Sequence, residues 1–461
     1  MATRRLGPVH GRPAAWSFWA MVLLGLTSGR DATAGPVAGA DLKRGQKLFE
    51  RQWFPHDPRS RGGDGLGPVY NESSCRACHV QAAPGGAGSD EKNVLLASTT
   101  VTDENRRERE AIHPGFHDAS SIVLHRYGAD PRYDAWRARF LSTAIGHAIM
   151  DPAEEFRSSV ILRDVPVPGS VTKFVQRRWS HALNMSFVAG IRLAERNTPP
   201  LFGVGLIDKI PDQVLIDAAG RRSSKFPGVR GRVSRTADGR IGRFGWKAQV
   251  PTLGDFVVAA CANELGLEVP GKHQTAPPND PRRAPKGLDL DDSDLAALTA
   301  FVSHLPAPIV DSPADSRTRE GIAAGRDAFD AVGCATCHSP ALGPVEGIYS
   351  DLLLHDMGDD LRDGASYYGT PEDQSPGLAT PAEWRTPPLW GLRDSGPYLH
   401  DGSVDTIEAA VALHGGEAES STRRYFELKP EKKHQLEMFL MSLAAPALDD
   451  VLVERHSVIF G

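Results

Sequence analysis

Two stretches of the chain repeat one order of apolar and polar positions. From Arg317 to Asp330 apolar residues return every three to four positions, and Gly325 and Phe329 lie on this stretch, which predicts an amphipathic helix. Residues 41–54 begin in the same way, with Gly45, Leu48 and Phe49. Ser293–Leu305 and Glu431–Leu443 show the same period and predict a second pair of helices, stopped by proline or small residues. The chain therefore reads as one plan used twice, an opening helix and a Leu-rich closing helix, with a central segment between them. In the first copy that segment is swollen by a long insertion, in which Phe256–Leu265 predicts a further helix. Residues 270–287 hold five prolines and several charges and predict an exposed loop. The expected fold is mainly α with long loops, in two domains at residues 35–312 and 313–461. At the N-terminus, Arg4, Arg5 and Arg12 precede the apolar run Trp16–Leu26, and Ala32-Thr33-Ala34 follows it. This is the order of a secretory signal peptide, here residues 1–34. The run is shorter than the roughly 20 residues that span a bilayer, so no stable membrane insertion is expected after cleavage. An uncleaved anchor is the other reading.

Between the paired helices stand Cys75-Arg-Ala-Cys78-His79 and Cys334-Ala-Thr-Cys337-His338. In C-x-x-C-H both thiols add to the vinyl groups of one haem, and the histidine supplies an axial nitrogen to its iron. Two such motifs use four of the five cysteines and predict two covalently bound haem c groups. A pair of zinc half-sites is the competing reading, although structural zinc sites usually place their histidines a dozen or more residues from the cysteines. Export together with covalent haem points to a periplasmic protein. Cys261 has no partner left within the chain and is expected as a buried apolar thiol. An opening helix with Gly and Phe, a C-x-x-C-H motif and a Leu-rich closing helix resemble a small class I cytochrome c domain, here present twice.

Charge narrows the partners. The formal net charge is −6, and removal of residues 1–34 leaves about −9. Such a surface argues against nucleic acid or an anionic membrane and suits a small electron-donor protein or an oxidisable substrate. The 46 Gly and 35 Pro fit a loop-rich chain wrapped around cofactors.

Glu195-Arg196-Asn197-Thr198-Pro199, Gly242-Arg-Phe-Gly-Trp246-Lys247 and Ser395-Gly-Pro397-Tyr-Leu-His400-Asp-Gly402 resemble segments of bacterial di-haem cytochrome c peroxidases. Gly65-Leu-Gly-Pro68, Leu201–Asp208, Asp351–Gly358 and Leu413–Ala418 are closer to a narrower group. That group is the di-haem oxidoreductase family of peroxidase-like proteins, some of them labelled thiol oxidoreductases. The resemblance spans nearly the whole mature chain and implies peroxide reduction at the first haem, with the second as electron relay. It places His414 where the peroxidases have the axial Met of the second haem, which implies a bis-His haem of lower potential. His355 and Met357 are the alternative ligands there. For the first haem, residues 186–195 contain no His or Met where the peroxidases have a distal His, so an open iron at His79 is expected. His147, Met150, His181 and Met185 could cap it only through the tertiary fold. Glu264 falls near the family's distal-pocket glutamate, a proton-moving group, with a helix-surface acid as the plainer reading. Trp246 matches an electron-relaying indole between the haems, although a core role is the common one for Trp. His400 is expected to be structural. Asn197, with the carbonyls of Ser395 and Pro397, would form a calcium site, unless Asn197 only bonds its own loop. Two further classes share this scaffold: an oxygenase or maturation enzyme acting on an organic or protein substrate, and a non-catalytic electron carrier. A thiol-oxidising role would depend on Cys261 alone.

Overall fold

The protein is described from a computed structural model over residues 39–99, 106–117, 119–149, 159–167, 170–178, 182–183, 191–363 and 377–451. The expected signal peptide lies outside these residues. Residues 38–461 form one compact unit, and both repeated halves sit within it.

Each half is built on two helices that cross at a glycine. In the first, Gly39–Glu50 buries Gly45, Leu48 and Phe49 and packs on Asp292–Ser303. A methyl at Gly45 would run into the Ala297 carbonyl oxygen and the Phe301 side chain. In the second, Ser316–Val332 packs on Pro430–Met441, and a methyl at Gly325 would run into the Gln435 carbonyl. The missing Cβ lets the two backbones approach, which brings the aromatic rings one turn later into contact. Phe49 packs on Phe301 with ring centres 5.4 Å apart, and Phe329 on Phe439 at 5.3 Å. Burial of each such ring stabilises the fold by about 2–3 kcal/mol.

Local signals set the helix ends. The Asp291 side chain accepts from the Asp294 amide at 2.8 Å in a reciprocal capping box, and Asp315 accepts from Thr318. Gly333 ends the helix Ser316–Val332 at φ 109°, a left-handed conformation that leads straight into Cys334. A side chain there would strike the ring of Phe226, which the first half sends across to the second motif.

The main apolar cluster joins the halves. Leu48, Phe49, Leu298 and Phe301 share it with Leu342, Ile348, Leu353 and Trp390. A second cluster, around Phe329, Tyr425, Leu436 and Phe439, belongs to the second half.

The insertion holds more β-structure than its sequence pattern suggests. Four antiparallel strands run in the order Ser121–Val123, Val94–Thr99, Ile191–Arg196, Ala182–Leu183, and Ser159–Val167 pairs with Ser170–Arg178 in a hairpin. Five of the six residues of Val94–Thr99 are buried. Such a strand shows no polar–apolar alternation from which to recognise it. Its neighbour, Ile191–Arg196, delivers Asn197–Pro200 to the centre of the molecule. Among the described residues no helix is long and apolar enough to cross a membrane.

Candidate functional site

Each Cys-x-x-Cys-His motif folds into a single tight turn. Ser74 caps the turn Cys75–Cys78 by accepting from the Ala77 amide at 3.1 Å, and the His79 amide donates to the Cys75 carbonyl at 3.0 Å. The second motif repeats the last bond, from the His338 amide to Cys334 at 2.9 Å. Both imidazoles are oriented by backbone. His79 Nδ1 lies 3.2 Å from the Gly86 carbonyl, and His338 Nδ1 lies 3.0 Å from the Tyr349 carbonyl. With Nδ1 as donor, Nε2 keeps its lone pair for a metal. Burial pulls each ring's pKa down to about 4, so both stay in the neutral, ligating form. Phe49 and Phe329 stand at matching places, 6.3 and 6.5 Å from the two imidazoles.

One continuous cavity of about 390 Å³ receives both motifs. All four motif cysteines, both motif histidines, Trp246, Glu264 and His414 line it, and most of the remaining wall is apolar. A single water needs only about 10–15 Å³, so this space suits large, flat, apolar groups. Burial pushes the Cys75, Cys78 and Cys334 thiols up to about 12. Burial also raises Cys337, against a hydrogen bond from His355 that lowers it. Four unbridged thiols and two backbone-oriented imidazoles in one apolar wall fit haem.

They do not fit paired zinc half-sites. Among the described residues, the one grouping of three His, Cys, Asp or Glu able to hold an ion is Cys337, Asp351 and His355, within 4.8 Å of one another. Neither complete Cys-Cys-His set converges in that way.

The two ends of the cavity differ. At the second motif His414 shares the wall with His338, and its charge adds to the lowering of the His338 pKa after burial. His414 Nδ1 lies 2.7 Å from the Ala410 carbonyl, which fixes the direction of the ring. The alternative ligands Met357 and His355 also line the cavity. His355, however, has both nitrogens engaged, Nδ1 by Glu417 Oε2 at 2.7 Å and Nε2 by Asp351 Oδ2 at 3.0 Å. It is thereby set aside as an iron ligand. Among the described lining residues of the first half, His79 is the only histidine and there is no methionine. The His147 side chain, Met150, His181 and Met185 lie outside the described residues.

Glu264 ends the helix Leu253–Glu264, and its charge acts on Cys75 and Cys78. Asn71 holds it twice. The Asn71 Nδ2 donates to Glu264 Oε2 at 2.7 Å, and the Asn71 amide donates to the Glu264 carbonyl at 2.7 Å. The Arg126 amide in turn donates to Asn71 Oδ1 at 2.9 Å. Asn71 was not legible in the sequence, since no local pattern connects it to a glutamate 193 positions away.

Trp246 donates from Nε1 to the Asn197 carbonyl at 3.1 Å and packs beside Trp384 and Leu413. Trp384 is a second lining indole that the motifs did not single out. His400 stacks on it with ring centres 3.7 Å apart, and Lys247 Nζ lies 3.6 Å from its ring centre. Burial pulls the Lys247 pKa down. Three carbonyls, of Thr380, Pro381 and Glu383, nevertheless surround its nitrogen at 2.7–3.1 Å. A neutral amine could satisfy only two of them, so the geometry calls for an ammonium. His400 thus has the structural place expected of it.

Asn197 and the Ser395–Pro397 segment come together around Gly402. Asn197 Nδ2 donates to the Gly88 carbonyl and Asn93 Oδ1 at 3.2 and 3.0 Å, and the Ser395 hydroxyl donates to the Gly391 carbonyl at 2.6 Å. These bonds hold the two loops through Asn197 Nδ2 and the Ser395 hydroxyl, and the oxygens expected to bind calcium, the Asn197 side-chain oxygen and the Ser395 and Pro397 carbonyls, belong to the same two segments. Cys261 is buried, and its thiol is raised far above its ordinary range by that burial.

Residues 301–443 match a family model described as "Di-haem oxidoreductase, putative peroxidase". A stretch of 122 residues, 24% of this chain, is 32% identical to methylamine utilization protein MauG of Methylorubrum extorquens. The match spans 31% of that protein's length. Among solved structures, hydrazine synthase of Kuenenia stuttgartiensis is 16% identical, with a TM-score of 0.31 over 54% of this chain and 72% of that one. A MauG-like protein associated with microbial copper homeostasis is also 16% identical, with a TM-score of 0.29 over 52% and 91%. Both structural likenesses are too distant to argue from. The stretch that is similar to di-haem oxidoreductases lies in the second half of the chain and the end of its first.

Proposed function

We propose that the chain is an exported, periplasmic di-haem c-type oxidoreductase of peroxidase-like activity, built from two cytochrome c-like halves. One observation carries this reading. A single cavity receives both Cys-x-x-Cys-His motifs, with a histidine at the second end and a carboxylate, but no described His or Met from the first half beyond the motif, at the other. Haem bound covalently at each motif would supply iron redox chemistry, an electron relay where two imidazoles ligate and peroxide reduction where one axial position stays free.

The chain's own part can be assigned residue by residue. His79 and His338 offer neutral Nε2 atoms, fixed in direction by the Gly86 and Tyr349 carbonyls. His414 offers the second imidazole at the relay end. Glu264 takes a proton from one peroxide oxygen and returns it to the other, and Asn71 orients its carboxylate by donating to Oε2. Trp246 carries electrons between the two ends. Its Nε1–H leans on the neutral Asn197 carbonyl, whereas Trp384 has a cation over its face, which opposes loss of an electron. The two electrons for each peroxide come from a small donor protein or an oxidisable substrate at the acidic surface.

A second reading keeps the site and changes the substrate. Likeness of 24% of the chain to methylamine utilization protein MauG, together with a first motif that has no described second His or Met from its own half on the cavity wall, would suit an enzyme acting on an organic or protein substrate. Low-temperature EPR of the oxidised, haem-loaded protein tests the shared premise. The expected spectrum has one high-spin and one low-spin ferric signal, with two haems per chain. Two low-spin signals would sink the open first site. Rapid turnover of hydrogen peroxide with a reduced donor supports the first reading, and a stable oxygen complex of the reduced protein supports the second.

A further inference from the structure

The loop that carries His414 is held locally by the His414 amide, which donates to the Val411 carbonyl at 3.1 Å, and by the Thr422 hydroxyl, which donates to the His414 carbonyl at 2.6 Å. Its tie to the rest of the second half runs through Glu417. Leu413-His414-Gly415-Gly416-Glu417 leaves the short helix Ile407–Ala412 and turns through Gly416 at φ 53°. A side chain at Gly416 would run into the Asp356 carbonyl, so the loop lies directly against the 355–358 segment. One buried side chain joins the two. His355 is 3% exposed. It bonds Glu417, three residues beyond His414, through Nδ1 at 2.7 Å, and Asp351 through Nε2 at 3.0 Å. The Arg230 amide also donates to Glu417 Oε2, at 2.8 Å.

The other end of this chain of contacts reaches the segment that orients the second motif's histidine. Asp351 follows Tyr349 by two residues, and the Tyr349 carbonyl orients His338. His355 Nδ1 also lies 3.7 Å from Cys337 Sγ. Asp351, His355 and Glu417 therefore tie the loop that sets the proximal imidazole to the loop that presents the distal one. Met357, two residues along from His355, lines the same cavity and offers a thioether to the same space.

We propose that His355 is a positioning residue that selects the second haem's distal ligand, holding the His414 loop in place through Glu417 so that imidazole prevails over the Met357 thioether. The proposal rests on the reading of His414 as that ligand. A different use of the same atoms would be an ion held by Cys337, Asp351 and His355, which would require a Cys337 thiol not joined to haem.

The test uses the full-length, haem-loaded protein with His355→Gln and, as a milder change, Glu417→Gln. The readout is EPR together with the near-infrared charge-transfer band of the oxidised protein, which separates bis-imidazole from imidazole–thioether ligation. Wild type should show a bis-imidazole low-spin haem. Both variants should lose more than half of that signal to an imidazole–thioether or high-spin form, while keeping two haems per chain and an unchanged first-haem signal. Adding Met357→Leu should then turn the thioether fraction into high-spin haem. Bis-imidazole signals at wild-type intensity in both variants would overturn the positioning role. A wild-type protein with no bis-imidazole signal would instead overturn the His414 assignment itself. A stoichiometric transition-metal ion beside an alkylatable Cys337 would assign the cluster to metal binding and overturn the proposal.

Discussion

The first and second halves of this protein use the same frame and end in different chemistry. Both cross two helices at a glycine, both set a phenylalanine beside the motif histidine, and both aim that histidine with a backbone carbonyl. What faces the motif is not shared. The second half presents His414 from a loop tied down by Glu417 and His355. The first presents Glu264, clamped by Asn71. The repeated helices make two equivalent seats. The loops and the insertion decide that one seat has a second imidazole beside it and the other a carboxylate.

Four substitutions would break or sharpen this contrast. The largest effect is expected from His414→Ala, which should abolish the bis-imidazole low-spin signal of the second haem and leave an imidazole–thioether or high-spin form. EPR checks this directly, and a retained bis-imidazole signal would pass the ligand role to another histidine. Next comes Glu264→Gln, which keeps the bond geometry to Asn71 partly intact but removes the proton acceptor. Stopped-flow mixing with hydrogen peroxide should show a rate about 10²–10⁴-fold lower, the usual weight of general acid–base help, with an unchanged second-haem spectrum. A normal rate would return Glu264 to the status of a structural acid. The smallest effect concerns the shared frame. Gly45→Ala and Gly325→Ala should each destabilise by about 1–3 kcal/mol, the range for a methyl forced into close packing. Thermal unfolding of both variants checks this, and similar losses are expected because the two crossings are alike. A loss in only one half would mean that the helix pairs are not equivalent supports.

The tryptophans offer a finer contrast of the same kind. Trp246 and Trp384 line one cavity, but only Trp384 lies under the Lys247 ammonium and against His400. The motif resemblance pointed to Trp246. The cation that sets the two apart reaches its place through three backbone carbonyls between residues 380 and 383, which no spacing in the sequence reveals.

The sequence by itself determined the two Cys-x-x-Cys-His motifs, the glycine and phenylalanine of each opening helix, and the two closing helices. These are short-range demands. Thioether and axial-ligand spacing is local, and helix periodicity repeats every three to four residues. The sequence also made Cys261 a buried thiol, since its neighbours are apolar on the same helix. Only the tertiary structure decided the rest. It joined both motifs in one cavity, brought Asn71 to Glu264, took both nitrogens of His355 away from iron, and gave the insertion a four-stranded sheet. Each of these depends on partners tens to hundreds of residues apart, or on strands buried on nearly every residue. Burial and hydrogen-bond geometry select such partners only after the chain has closed on itself.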